Sequence, residues 1–320
     1  MPVHPAPPSD VPGLIEAYRQ TLTSFAAVCD GLSEADWDAP TSCPGWAARD
    51  HLAHVVHHED YLSGSEHPLG GAGSGDTAPG LSATPTGQAV VPVRPEGAGT
   101  PEHVTNDFGA WNEEGIRALR EREPADLVAE LRGLIELRSA QMYDPDLTLE
   151  TPVRSVMGEM LEFGPLLALR LSDVWNHEQD LREVVNRPGS LDSPGASQFV
   201  TFVLDSLPRV VVRRVRPEPG TVVILESTGP VLGRAGVRVG TDADGELVGH
   251  VLFTGHVESE DTHPIVHEAD EQESTTTISL STHELTRRAA GRRSTEETAY
   301  QVVGDEGLAR RVLDALTVTP

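Results

Sequence analysis

The chain has 320 residues, enough for one large domain or two modest ones. Acidic residues outnumber basic residues by 50 to 24, and a formal net charge of −26 argues against nucleic acid or an anionic membrane surface as the main partner. No apolar run approaches the roughly 18 residues that a transmembrane helix needs, and the first residues do not resemble a secretory signal. Two cysteines, Cys29 and Cys43, cannot build a disulfide framework, so we expect a cytoplasmic protein.

The first part of the chain predicts a bundle of helices. Apolar residues recur at three- and four-residue steps, which is the period of a helix with one buried face. The helical patterns cover residues 11–31, 47–62, 104–121, 125–142 and 163–185. Helices of this length suit a four-helix bundle.

Residues 64–101 interrupt this pattern. They are dense in Gly, Pro, Ser and Thr and have no sustained periodicity. The segment is too long for an ordinary connection, so we predict a flexible insertion, the alternative being a lid over a site.

After Pro194 the pattern changes to short β-rich runs separated by Gly, Asp and Pro. The runs cover residues 221–225, 231–239, 247–257 and 275–280, and two short helical patterns follow at 282–290 and 306–316. The sequence therefore predicts an α+β protein: a helical bundle over residues 1–192 and a smaller α+β domain with an antiparallel or mixed sheet over 193–320.

Four histidines are concentrated in the second predicted helix, at His51, His54, His57 and His58. At about 100° per residue, His51, His54 and His58 share a face with apolar residues, whereas His57 points elsewhere. Because that face should turn inward, these imidazoles are candidates for a buried site.

The last helix of the bundle has a similar feature. Asp173 and His177 lie four residues apart on the apolar stripe formed by Leu166, Leu169, Leu181 and Val184. A carboxylate that faces a core is costly unless it is paired or bound to a cation. The pattern indicates either a hydrogen-bonded Asp–His pair or a site for a divalent metal, such as zinc, completed by a histidine of the facing helix.

Three groups of motifs resemble the mycothiol-dependent maleylpyruvate isomerase family. The first is the turn Thr41-Ser42-Cys43-Pro44-Gly45-Trp46, followed by Arg49-Asp50 and Ala53-His54-Val55. The second is Asp173, His177 and Asp180-Leu181-Arg182, and the third is Val303-Gly304-Asp305 with the final Thr317-Val318-Thr319-Pro320. The resemblance implies a DinB-like four-helix bundle that binds a metal, followed by a sterol-carrier-like domain.

The resemblance assigns metal ligands in this sequence. His54, Asp173 and His177 match the family's ligands, although the family more often has Glu at the position of Asp173. His51 and His58 are alternative ligands or neighbours of the ligands, and we expect one of them to pack and the other to be solvated.

Two further residues have roles that remain open. Asp180 could accept the second ring N–H of His177, or it could be a solvated acid or a partner of Arg182. Arg292, in Ala290-Gly291-Arg292-Arg293, resembles the arginine with which the family's C-terminal domain reaches the catalytic site, and the alternative is one more exposed arginine.

The family's cofactor is mycothiol, a low-molecular-weight thiol of actinobacteria. All 24 basic residues of this chain are arginine, which we interpret as the codon usage of a GC-rich genome and which is compatible with such a source. A divalent metal, for which we expect zinc, would activate the thiol as a thiolate. The resemblance therefore implies S-transfer to, or cis–trans isomerisation of, an electrophilic substrate.

Two alternatives stay open at this point: a metal-dependent hydrolase on the same bundle, and a non-catalytic ligand-binding or regulatory protein. In the leading interpretation the partners are the small-molecule thiol and the electrophilic substrate, without nucleic acid or a membrane. We expect a monomer or a homodimer.

Overall fold

The computed structural model describes residues 2–64, 101, 104, 106–156, 159–254 and 274–319. The chain divides into two compact units, one of Pro8–Gly189 and one of Met1–Pro7 with Ser190–Pro320. The first unit is mainly helical and the second contains a five-stranded sheet, so the predicted α+β class is confirmed. The predicted insertion at 64–101 lies almost wholly outside the described residues, and no described helix is long and apolar enough to cross a membrane.

The first unit contains five long helices at the positions that the periodicity predicts. The helices are α1 (Val11–Cys29), a short α2 (Glu34–Trp37), α3 (Ala48–Leu62), α4 (Asp107–Leu119), α5 (Pro124–Gln141) and α6 (Phe163–Val184). An antiparallel hairpin of β1 (Pro152–Arg154) and β2 (Met160–Glu162) precedes α6. Helix α2 and the hairpin have no predicted counterpart, because elements of three or four residues are too short to show a period.

Four of these helices share one apolar core. Phe25 of α1, Leu52 of α3, Leu131 of α5 and Leu171 of α6 are all at most 1% exposed and belong to the same cluster. Burying each such side chain contributes about 1.5–3 kcal/mol to folding. Helix α4 contributes mainly to a separate group, in which its Ile116 packs with Trp46 and Ala53, and only its last residue, Leu119, packs against the larger core.

The inner face of α6 differs from the predicted stripe. Leu166 and Leu181 are buried as expected, but Leu169 is 45% exposed. The buried side instead includes Leu167 and Trp175, so the face is rotated relative to the prediction. The position of Leu169 on the predicted stripe did not indicate burial, because α6 has apolar side chains on more than one face.

The second unit begins with α7 (Pro194–Val210), which continues as a π-helical turn over Val211–Val215. The sheet contains β3 (Val222–Thr228), β4 (Leu232–Thr241), β5 (Leu247–Phe253), β6 (Thr275–Leu280) and β7 (Gln301–Val303), with α8 (Thr282–Ala289) and α9 (Glu306–Asp314). The strand order is β5-β4-β3-β6-β7, in which only β3 and β6 are parallel neighbours. The sheet is therefore mixed.

Helix α7 is the main correction to the predicted second domain, for which a change to short β-rich runs was expected after Pro194 and helices were expected only at 282–290 and 306–316. Ser193 caps the helix through a hydrogen bond from the Ala196 N–H, and Pro194 occupies the first helical position. The buried residues Phe199, Val200, Val203, Leu204 and Leu207 have helical spacing. Their β-branched and aromatic character obscured that period in the sequence.

Candidate metal centre

His54, Asp173 and His177, the three predicted ligands, lie together between α3 and α6. His54 Nε2 is 3.1 Å from Asp173 Oδ2, and His177 Nε2 is 3.5 Å from Asp173 Oδ1. The two imidazole centroids are 4.5 Å apart. The fold thus places one imidazole of α3 and one imidazole of α6 beside the carboxylate of Asp173.

Among the described residues, two groups of three have donor atoms within 4.8 Å of one another. One group is His54, His58 and Asp173, and the other is His51, His177 and Asp180. Neither group contains all three predicted ligands: His54 and Asp173 are in the first and His177 is in the second. Asp173 links the two groups, because it contacts both His54 and His177.

Asn112 of α4 connects two histidines of the first group. Its Oδ1 lies 2.7 Å from His54 Nδ1 and 3.2 Å from His58 Nε2. Burial lowers the pKa of His54 and lowers that of His58 still further, which favours neutral imidazoles. Because a neutral imidazole is the form that binds metals, His54 is in a suitable state for a ligand.

A buried arginine holds the carboxylate of Asp173. Arg170 Nη1 donates to Asp173 Oδ2 at 2.6 Å, and Arg170 Nε and Nη2 donate to Glu59 Oε1 at 3.1 and 2.7 Å. The Tyr18 hydroxyl donates to the other oxygen of Glu59. Burial acts to raise the pKa of Asp173, but its interactions with His54, the guanidinium of Arg170 and His177 hold it well below its usual range. Asp173 is therefore an ionised carboxylate.

The second group surrounds the other side of His177. His177 Nδ1 is 2.9 Å from His51 Nδ1 and 3.4 Å from Asp180 Oδ2, and His51 Nε2 is 2.9 Å from Thr41 Oγ1. Asp180 is fully buried, so it is the neighbour of His177 rather than a solvated acid. Burial acts to lower the pKa of His177, but Asp173 and Asp180 raise it above its usual value.

One expectation about the other histidines is wrong. His51 and His58 are 0% and 2% exposed, so neither is solvated. His57, which was expected to point away from the other three, is also buried, and its ring lies 4.3 Å from that of Trp111. The reason is that α3 packs against α4, α5 and α6, which leaves almost no exposed face.

Trp46, in the turn that precedes α3, lies against three imidazoles. Its ring centroid is 5.2 Å from that of His54, 5.3 Å from that of His51 and 5.4 Å from that of His177. The TSCPGW motif therefore supplies one wall of the cluster. Cys43 in the same turn is half-buried and is not in a disulfide.

Sequence reasoning missed Asn112, Arg170 and Glu59. Arg170 gave a weak signal, since an arginine three residues before Asp173 can reach it within one helical turn. Asn112 gave none, because its role depends on how α4 packs against α3.

Arg292, the predicted catalytic arginine, belongs to the second unit. It is half-buried, and its Nη1 donates to the Ala290 carbonyl at 3.1 Å. The next residue, Arg293, forms an ion pair with Glu284 at 2.9 Å.

The residues present fit a divalent metal. Two imidazole nitrogens and a carboxylate are typical ligands of zinc and other first-row ions. Ligands at about 2.0–2.1 Å from a tetrahedral ion are about 3.3 Å apart. His54 Nε2 is 3.1 Å from Asp173 Oδ2 and His177 Nε2 is 3.5 Å from Asp173 Oδ1, so each imidazole lies near that separation from a different oxygen of the carboxylate.

Two crystal structures, of the mycothiol-dependent maleylpyruvate isomerase and of a histidine-to-alanine mutant of it, are similar at 13% and 12% identity, with TM-scores of 0.48 and 0.49. Each comparison covers 91% of this chain and 92% of the other. No curated protein matches.

The sequence pattern of the mycothiol maleylpyruvate isomerase N-terminal domain matches residues 18–182, which is just over half of the chain. The matched range includes His54, Asp173 and His177. The resemblance seen in the motifs is thereby confirmed. The chain belongs to the family of the mycothiol maleylpyruvate isomerase N-terminal domain.

Proposed function

We propose that this chain is a metal-dependent enzyme that uses mycothiol to act on an electrophilic small molecule, by S-transfer or by cis–trans isomerisation. The observation that carries the proposal is the approach of two imidazole Nε2 atoms, from His54 and His177, to the carboxylate of Asp173. All three residues lie in the part of the chain that the family pattern matches.

We assign His54, Asp173 and His177 as the ligands of a divalent metal, for which zinc is the leading candidate. When bound, the metal would supply a Lewis acid that holds the sulfur of mycothiol as a thiolate, the nucleophile that both reactions need. Asp173 has a shorter side chain than the glutamate more common in the family, and Arg170 fixes its position through the 2.6 Å hydrogen bond to Oδ2.

The surroundings suit a small-molecule reaction. The Asp173 side chain is 36% exposed, whereas those of His54 and His177 are 4% and 7% exposed, so the cluster is open at the carboxylate and closed behind the imidazoles. Trp46 packs against both imidazoles and keeps water from that side. We propose that Arg292 holds an anionic group of the substrate, on the strength of the family resemblance.

The test is turnover with and without mycothiol by protein purified from a host that makes this thiol. Native mass spectrometry of the same sample reports bound metal and thiol together. We expect metal in the protein and turnover of a conjugated, electrophilic acid only when mycothiol is present. Turnover at the same rate without thiol would instead indicate a hydrolase and would overturn the proposal.

A further inference from the structure

The tautomer of His58 follows from its contact with an obligatory donor. A guanidinium has no hydrogen-bond acceptor, so Arg170 Nη1, 2.9 Å from His58 Nδ1, must donate to it. In the neutral ring the proton of His58 is therefore on Nε2. That N–H donates to Asn112 Oδ1, which is 3.2 Å away.

The same amide sets the tautomer of His54. Because Asn112 accepts from His58 through its carbonyl oxygen, the His54 Nδ1 atom, 2.7 Å from that oxygen, must also donate to it. The proton of neutral His54 is therefore on Nδ1. Its Nε2 atom has an unprotonated lone pair and lies 3.1 Å from Asp173 Oδ2.

A second chain of hydrogen bonds begins at an obligatory acceptor, the carbonyl of Trp46. The Thr41 hydroxyl donates to this carbonyl at 3.0 Å, so Thr41 Oγ1 accepts from His51 Nε2 at 2.9 Å. His51 Nδ1 is then unprotonated and accepts from His177 Nδ1, also at 2.9 Å. The Nε2 atom of neutral His177 is thus bare and lies 3.5 Å from Asp173 Oδ1.

The two chains start in different parts of the unit and end at the same place. Two imidazole lone pairs and a carboxylate face one another, and this arrangement of acceptors suits a cation in addition to Arg170, which already donates to Asp173 Oδ2. We infer that Asn112 and His51 are positioning residues, which fix the tautomers of His54 and His177 so that both Nε2 atoms are presented at Asp173. Thr41 acts through His51. The inference rests on the proposed function in one respect: it takes the cation to be the proposed metal.

The first test uses two variants at Asn112. Asn112→Leu keeps the size of the side chain and removes the acceptor, and Asn112→Asp keeps an acceptor. Long-range ¹⁵N NMR of metal-free protein with ¹⁵N-labelled histidine reports which ring nitrogen holds the proton, at a pH above the titration of His177. We expect the Nδ1–H form of His54 in the wild type and in Asn112→Asp, and its loss in Asn112→Leu.

The second test makes the same comparison at Thr41. Thr41→Val removes the hydroxyl with little change of shape, and Thr41→Ser restores it. The Nδ1–H form of His177 should persist in the wild type and in Thr41→Ser and should decrease in Thr41→Val. The inference is wrong if either wild-type ring is protonated on Nε2, or if the variants without the polar group keep the wild-type tautomers.

A titration with Co²⁺ alone adds a functional readout. Loss of a residue that orients a ligand typically weakens metal binding by about 10–100-fold, and we expect this for Asn112→Leu and Thr41→Val but not for their polar counterparts. If the apolar and the polar variant at one position weakened Co²⁺ binding equally, the residue would contribute only by packing, and this result would contradict the inference. If the wild type binds no Co²⁺ or Zn²⁺, the proposed function fails, while the NMR result still decides the tautomers.

Discussion

The helical unit has two interiors of opposite character, and α3 contributes to both. Leu52, Val55 and Val56 of this helix pack into the apolar core shared with α1, α5 and α6. His54 and Glu59 of the same helix lie in the polar cluster with Arg170 and Asp173. The apolar interior stabilises through area removed from water, whereas each polar side chain of the cluster depends on one or two particular partners. The two interiors should therefore respond differently to substitution.

The largest loss of stability is expected where a buried charge loses its partner. Arg170→Met leaves the carboxylates of Glu59 and Asp173 without their shared guanidinium, in surroundings where Arg170 is 4% exposed. We expect the free energy of unfolding in urea to fall by about 3–5 kcal/mol. A loss below about 1 kcal/mol, the range of exposed pairs, would show that the cluster does not depend on this arginine.

A substitution in the apolar core should lower the free energy of unfolding by nearly as much but should leave metal binding unchanged. Leu52→Ala removes a side chain that is 0% exposed, and we expect a loss of about 2–5 kcal/mol from lost burial and the cavity left behind. Metal affinity of the folded variant, measured at low temperature, should match the wild type. A large fall in affinity would mean that the two interiors are coupled.

A milder change separates metal binding from stability. Asp180→Asn keeps the shape of a fully buried side chain and removes the charge 3.4 Å from His177 Nδ1. Since such neighbours orient a ligand and raise its basicity, zinc affinity in a competition titration should fall by about 10–100-fold. Unchanged zinc affinity would show that Asp180 does not orient His177 for metal binding.

The smallest effect is expected at the surface. Arg19 and Glu16 form an ion pair at 2.9 Å on α1, with side chains 49% and 63% exposed. Water and salt screen such a pair, so Arg19→Ala should not shift the urea midpoint measurably. A clear shift would show that exposed pairs contribute more to this fold than we propose.

The sequence predicted the elements that repeat a period and the residues that lie in short motifs. Five helices of the first unit were located from apolar spacing, and His54, Asp173 and His177 were chosen because each lies in a motif that the family shares. The structure then places the three side chains in contact. Their role as metal ligands stays a prediction.

What the sequence did not predict depends on packing between elements. A helix with one buried face would leave one of His51 and His58 solvated, as predicted, but both are buried because α3 is covered on most sides. Asn112 joins His54 and His58 only because α4 packs against α3. Helix α7 was missed because its buried valines and phenylalanine also suit a strand.

The most direct test of the central claim is the metal content of two histidine variants, measured by elemental analysis after purification. His177→Ala removes a proposed ligand, and His57→Ala removes another buried imidazole that belongs to neither donor group. Circular dichroism of both variants tests whether the helices are retained. The account predicts that His177→Ala loses its bound metal while His57→Ala keeps the wild-type amount, and wild-type metal content in His177→Ala would contradict it.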